Sequence, residues 1–463
     1  MKKCSAADNL ITSLDRLLTE KITADDLEQA RLSLLDYLGV CLAGAAASRR
    51  PGGVLQEQSA DGSPFDAGSF LPLGLASRTS LTAAAFLNGF NGHCLELDDG
   101  HRRGMCHAGV PVLSAVLPIA AAEHIPGGRV LQAILVGYET TLRLACAVQP
   151  SHKVKGYHTS ATCGTLGAAA ACACAAGYDR QQLKRTLSAA VTNTGGTLAL
   201  QDDRSEMKPV NLGRAAAAGV LSAQIGRLEL ECPDDAIGGD RGFLELYAEN
   251  PKLEYFAADD SCPPMIESIY RKLYAACRHA HPPADCAFAI AAEHAPDPEH
   301  IERILVRTHR LAIKGHDHTD FDNASAARLS IPYAVACALT LGTLSQAAYA
   351  PEHLDSRALR RLCDRTVVTE DPDMTRALPD QRGASLRIVM DDGTVYEHRV
   401  PLPKGEPELP LTPAEIESKT TGLLREAGFP AGQIRSLIED VHEFDDHHTH
   451  LYETLNAFSR RTE

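Results

Sequence analysis

The sequence predicts a mainly α-helical protein in which a large all-helical domain is joined to a smaller α+β domain. Three observations carry this prediction. Apolar residues recur at helical spacing from roughly residue 5 to 260. Strand-like alternation begins only after about residue 262. A capping box with Pro at the first helical position, Thr412-Pro413-Ala414-Glu415, then restarts helix beyond a proline-rich connector.

Taken in order, Thr23 suits the N-cap of a helix in which Leu27, Leu34, Leu35, Leu38 and Leu42 recur at three- and four-residue steps. Asp25 and Asp26 occupy its favourable first turn. Further helices are expected over 81–93, 110–124, 128–148, 163–176, 180–199 and 212–227. Small residues in the later ones, such as Gly164, Gly167, Gly213 and Gly219 among alanines, permit close helix-to-helix approach. Beyond residue 262, Ile301 to Thr308 alternates like a half-buried strand, and 324–342 reads as an apolar helix. Ser385 to Met390 and Thr394 to Tyr396 flank Asp391-Asp392-Gly393, a hairpin signal. Pro401, Pro403, Pro407 and Pro410 mark the connector. The expected division is therefore 1–265 helical, 266–405 α+β, and 406–463 returning to the helical domain. There is no internal repeat.

Composition narrows the function. A net charge of −15 argues against nucleic acid or an anionic membrane as partner. Cations nevertheless gather near the polar motifs, among them Arg102, Arg103, Lys153, Lys208, Lys272 and Arg278, which suits a small anionic ligand. The start, Met1-Lys2-Lys3-Cys4-Ser5, lacks the apolar stretch of a signal peptide, and no apolar run reads as long enough to span a bilayer. Fourteen Cys without framework spacing, several within alanine-rich helices, read as reduced core residues and hence a cytoplasmic protein.

Four polar clusters interrupt the apolar pattern. The first holds Glu96, Asp98, Asp99, His101 and His107 between two helices; carboxylates beside imidazoles set the tautomer and basicity that general acid–base catalysis needs. A solvated charged loop or a metal site would use the same residue types, although the spacing matches no familiar zinc or iron pattern. The second, Gly156-Tyr157-His158-Thr159, precedes a helix whose N-terminal amides and hydroxyls suit a carboxylate. Its ordinary reading is a helix cap at Thr162 and a satisfied buried His158. In the third, Lys208 can bind a carboxylate or stabilise enolate charge, or stand on the surface at a helix start. The fourth, Arg271 to His281, crowds Lys272, Cys277, Arg278 and His279 at the expected domain junction, where ligand pockets tend to lie. His316-Asp317-His318 and the terminal His447, His448 and His450 read as solvated polar runs.

In this order the clusters resemble the MmgE/PrpD family, whose activities include 2-methylcitrate dehydration, cis-aconitate decarboxylation and iminodisuccinate epimerisation. The resemblance also draws on Gly137-Tyr138-Glu139 with Arg143, Lys208-Pro209 with Gly213-Arg214-Ala215-Ala216, Cys277-Arg278-His279 with His281-Pro282 and Asp285, and Ser330 to Ala336. It implies a large helical domain of N- and C-terminal segments, a smaller α+β domain, a pocket between them and a homodimer. It places Glu96, His107, His158, Lys208, Lys272 and Tyr333 around the site. Two departures stand out: the Thr position is Gly100 and a third His position is Cys277. These keep the acid–base core and alter the shell that holds substrate.

The expectation is a cofactor-independent lyase of the dehydratase type acting on a small di- or tricarboxylate, with no metal. His107, His158 and Lys208 are the expected catalytic residues. Glu96, Asp99, Arg103, Thr159, Lys272, Cys277, Arg278, His279 and Tyr333 are expected to bind substrate. An isomerase, a decarboxylase and a non-catalytic carboxylate binder are the alternatives.

Overall fold

The computed structural model describes residues 5–48, 67–76, 78–202, 205–257, 263–445 and 447–459. Met1 to Cys4 and the Asp203-Arg204 part of the polar turn before Lys208 lie outside them.

The centre of the helical part is the Thr159–Ala175 helix, which is buried along almost its whole length. A helix apolar all round belongs inside a bundle, and this one packs against Gly109–Glu123, Gly127–Val148 and Lys208–Gly226. Its start lies four residues before the expected one. Thr and Ser usually compete with helix by bonding the backbone elsewhere. Here Thr162 and Thr165 bond back to Thr159 O and Ala161 O at 3.3 and 2.8 Å, so their hydroxyls are satisfied within the helix. Lys208 likewise opens its helix rather than preceding it, because Pro209 lacks only an N–H that the first turn leaves unpaired anyway. The helix expected over 180–199 stops at Thr192, with Gly196 at φ +124° breaking the path.

Ala24–Ser48, at 25 residues, is long and apolar enough to cross a membrane, which corrects the sequence expectation on this point. Most of it is buried inside the protein, as a core helix. The C-terminal Pro413–Glu426 helix, opened by the expected capping box, packs onto it. Gly39 allows the contact: a Cβ there would lie 2.9 Å from Thr420 Oγ1. Lys419 of this helix pairs with buried Asp36 at 2.6 Å and donates to Leu97 O at 3.0 Å, so the C-terminal segment also braces the loop after His93.

The smaller part holds a four-stranded sheet in the order Thr366–Glu370, Ile301–Thr308, Ala384–Met390, Val395–Val400. The last two strands form the expected hairpin, pairing Val389 with Val395. The parallel edge strand Thr366–Glu370 was not expected. The apolar stretch 324–342 is two helices, Ala324–Leu329 and Ile331–Thr340. Pro332 cannot donate into a continuous helix, and Ser330 instead caps the second one through Tyr333 N at 3.2 Å.

Candidate active site

Where the helical part meets residues 270–280 and 316–329, a cleft opens to solvent. Glu96, His107, His158, Thr159, Ser160 and Lys208 line it from the helical side. Lys272, Cys277, Arg278, His279, His316 and Arg382 line it from the other, with Lys153 also on the wall.

Its floor is a buried chain of charges and imidazoles. The Leu81–His93 helix ends on His93, which is fully buried. The chain then turns at Glu96, held at φ +52°, a conformation that L side chains seldom adopt and that clusters at functional sites. Lys272 donates to Glu96 O at 2.8 Å and lies 3.4 Å from its carboxylate, while Lys208 pairs with the other carboxylate oxygen. His93 links the two acids: Nε2 is 3.3 Å from Glu96 and Nδ1 is 3.0 Å from Asp98. Asp98 also stands 3.1 Å from His107 Nδ1. That nitrogen donates to Asp99 O at 2.6 Å, so His107 presents Nε2 as its basic atom. His93 was missed from the sequence because it sits on an apolar helix, three residues before the acidic turn.

Burial opposes ionisation of Glu96, yet Lys208, His93, Lys272 and His107 together hold its carboxyl well below the usual range. Burial likewise disfavours charge on Asp98, and His107 and His93 outweigh it. Both carboxylates thus contribute stability that is complete above their ordinary values and is lost as pH falls through the lowered native ones. Chemical denaturation between about pH 5 and about pH 3 is expected to show this loss, and Glu96→Gln to flatten the slope.

His158 precedes the Thr159–Ala175 helix in extended conformation, and its Nδ1 is buried with no hydrogen-bond partner among the described residues. Burial first, then the Lys208 charge, keeps this imidazole neutral well below its ordinary range. Thr159 is held by Gln149 at 2.7 Å, and Ser160 Oγ accepts from His107 N at 3.0 Å, which ties the second cluster to the first. Lys153 has no ion-pair partner among the described residues, and burial with Arg382 nearby brings its ammonium down to about 8. It is one of the cations expected near the polar motifs, and Arg382 beside it is a pocket cation that local sequence did not single out.

Family models for the MmgE/PrpD N-terminal domain and C-terminal domain match residues 9–255 and 274–443. The chain belongs to the MmgE/PrpD family. Among curated relatives it is similar to human cis-aconitate decarboxylase, 27% identical over 73% of this chain and 71% of that protein. It is also similar to the cis-aconitate decarboxylase-like protein oryM of Aspergillus oryzae, 26% identical over 86% of both chains. A cis-aconitate decarboxylase from Aspergillus terreus is 26% identical over 58% of this chain.

Against the site residues that the MmgE/PrpD resemblance and the local sequence named, the structure makes four corrections. Tyr333 is fully buried in the smaller part, donating to Ala348 O at 2.7 Å and packing on Phe321, away from the cleft. Its place on an apolar helix determines that; the tyrosines on the cleft are Tyr157 and Tyr270. Arg103 is half exposed and paired with Asp380, off the cleft wall. Asp99 lies behind the wall, accepting from Tyr138 and from Gly109 N at 3.1 Å, and burial raises its carboxyl to about 6. Arg278 does line the cleft, but all five of its N–H donors are engaged by Glu406, His281 and the carbonyls of Pro403 and Lys404. It stacks over Tyr270 at 4.6 Å and so shapes the wall without a free donor for substrate.

His316, expected to be solvated, lies on the wall beside Cys277. His101 accepts from Gly104 N at 2.9 Å and serves the turn after Gly100. Gly100 pairs with Tyr270 backbone to backbone, and a Cβ there would meet Tyr270 Oη at 2.4 Å. The ring fills the space a Thr would need. Gly100→Thr is accordingly expected to destabilise by about 1–3 kcal/mol, read as a lower denaturation midpoint, unless Tyr270 is made smaller.

His93, Asp98 and His107 bring ligand atoms within 4.8 Å of one another, a geometry a metal ion could use. Charge argues otherwise: Lys272 stands 4.0 Å from Asp98 and two ammoniums already neutralise Glu96. A dication would enter against both.

Proposed function

We propose that this protein is a cofactor-independent lyase of the dehydratase type, acting on a small di- or tricarboxylate by histidine and lysine proton transfer, as in 2-methylcitrate dehydration. One observation carries the reading: two imidazoles with ring nitrogens left for a ligand stand in one cleft with the ammoniums of Lys153 and Lys208. Cations hold carboxylates there and stabilise the charge that develops when a neighbouring C–H bond breaks. His158, kept neutral, is suited to accept that proton. His107, backed by the Asp98 carboxylate, is suited to give one to the departing hydroxyl.

Loss of CO2 is the second reading, supported by the likeness to cis-aconitate decarboxylases. The Gly100 and Cys277 departures weigh against carrying cis-aconitate chemistry over unchanged. Incubation with 2-methylcitrate, citrate and cis-aconitate in deuterated water, followed by NMR and CO2 measurement, tests both. Loss of water without CO2 supports dehydration. Binding with no product or deuterium incorporation across the panel would instead make the protein a carboxylate binder, and a stereoisomer differing from its substrate only by deuterium at the inverted carbon would make it an isomerase. Activity is expected to survive exhaustive dialysis against a chelator; activity that vanished and returned with one specific ion would make His93, Asp98 and His107 ligands. A cytoplasmic homodimer completes the proposal, checked for assembly by light scattering.

A further inference from the structure

Cys277 and His316 form a second cluster on the cleft wall, contributed by the smaller part of the chain and unused by the reaction just described. Cys277 Sγ lies 4.0 Å from His316 Nε2. His316 Nδ1 donates to Leu329 O at 2.9 Å, which leaves Nε2 as the basic nitrogen facing sulfur. One short segment sets this geometry: Arg328 O accepts from Cys277 N at 2.8 Å, Leu329 O orients the imidazole, and Ile331 N donates to His316 O at 2.8 Å. A thiol, a base and a group orienting the base are the parts of an activated sulfur. Most of the other described cysteines sit in apolar cores, where burial raises the thiol, as at Cys172, Cys286 and Cys337.

We propose that Cys277 and His316 are an acid–base pair and supply a third proton-transfer group beside His107 and His158, facing substrate from the side opposite the helical part. This deepens the lyase reading and rests on it. The Sγ–H proton passes to Nε2, leaving a thiolate beside an imidazolium. The thiolate takes a proton from carbon next to a carboxylate on the face opposite His158; the C–H electron pair moves into that carboxylate, and the reverse transfer re-forms the bond. No oxidant or further reactant is needed.

Burial alone would raise Cys277, but the charge and hydrogen bond of His316, followed by Lys208, bring it down to about 6. The other titratable groups facing the pair are Glu96, Lys153, Tyr270 and His279. Glu96 opposes the thiolate and is itself neutralised by two lysines.

Iodoacetamide labelling of the full-length protein across pH, read at the Cys277 peptide by mass spectrometry, tests the pair without any substrate. The expected midpoint lies well below that of an ordinary thiol, and His316→Gln is expected to raise it by about one pH unit or more. A midpoint in the ordinary thiol range, unmoved by His316→Gln, would overturn the proposal. On a confirmed substrate, Cys277→Ala is expected to lower deuterium incorporation at carbon by on the order of tenfold or more. Unchanged incorporation and an unchanged pH profile would also overturn it. Failure of the lyase reading is visible separately, as absence of turnover in the unmutated protein, and the labelling profile then decides for or against the pair by itself.

Discussion

Replacing His107 or His158 with Ala is expected to lower turnover by on the order of a hundredfold or more while leaving the fold intact. Both imidazoles line the cleft, and neither is part of the apolar core. His107 Nδ1 is tied to Asp99 O and Asp98, so its ring is aimed and its other nitrogen is available to a ligand. His158 carries a buried nitrogen with no partner among the described residues, a cost that a bound substrate would relieve. Steady-state kinetics with circular dichroism as a folding control checks this. Near-normal turnover in both variants would remove the acid–base assignment, whatever the substrate proves to be.

The second large effect concerns stability. Glu96→Ala is expected to destabilise the protein by about 3–5 kcal/mol, because it strands buried ammonium groups. Glu96 is 7% exposed and Lys272 is fully buried, and the acid holds both Lys272 and Lys208 through opposite oxygens. A double-mutant cycle in denaturant isolates the pair: Glu96→Ala combined with Lys208→Met should cost clearly less than the sum of the single changes. Additive losses would mean that Glu96 and Lys208 do not depend on each other. Kinetics on the same variants would show how far the clamp also positions His93 and Asp98.

Much of this was legible along the chain. The stretch 96–107, His158, Thr159, Lys208, Lys272, Cys277 and His279 were all singled out locally, since polar residues interrupting alanine-rich helices stand out against a periodic background. His93 was not, because it lies on a helix whose own apolar pattern accounts for it. His316 read as one of several exposed histidines, and only its neighbour Cys277 on the cleft wall distinguishes it. In the other direction, Tyr333 and Arg278 carried the right chemistry at matching positions, and packing or competing acceptors took them out of use.

By itself, then, the sequence determined the helical class, the hairpin, the capping box and the residue types that meet in the cleft. Periodicity, turn chemistry and charge are local properties, and their effects fall within a few residues of their cause. Tertiary structure decided which of those side chains have a nitrogen, sulfur or ammonium left for a ligand. That question is settled by partners far away in the chain: Glu96 by Lys208 and Lys272, Arg278 by Glu406, Cys277 by His316. Burial strengthens each of these pairings and makes the unpaired group costly, so availability for chemistry is a property of the packed cleft and not of any motif.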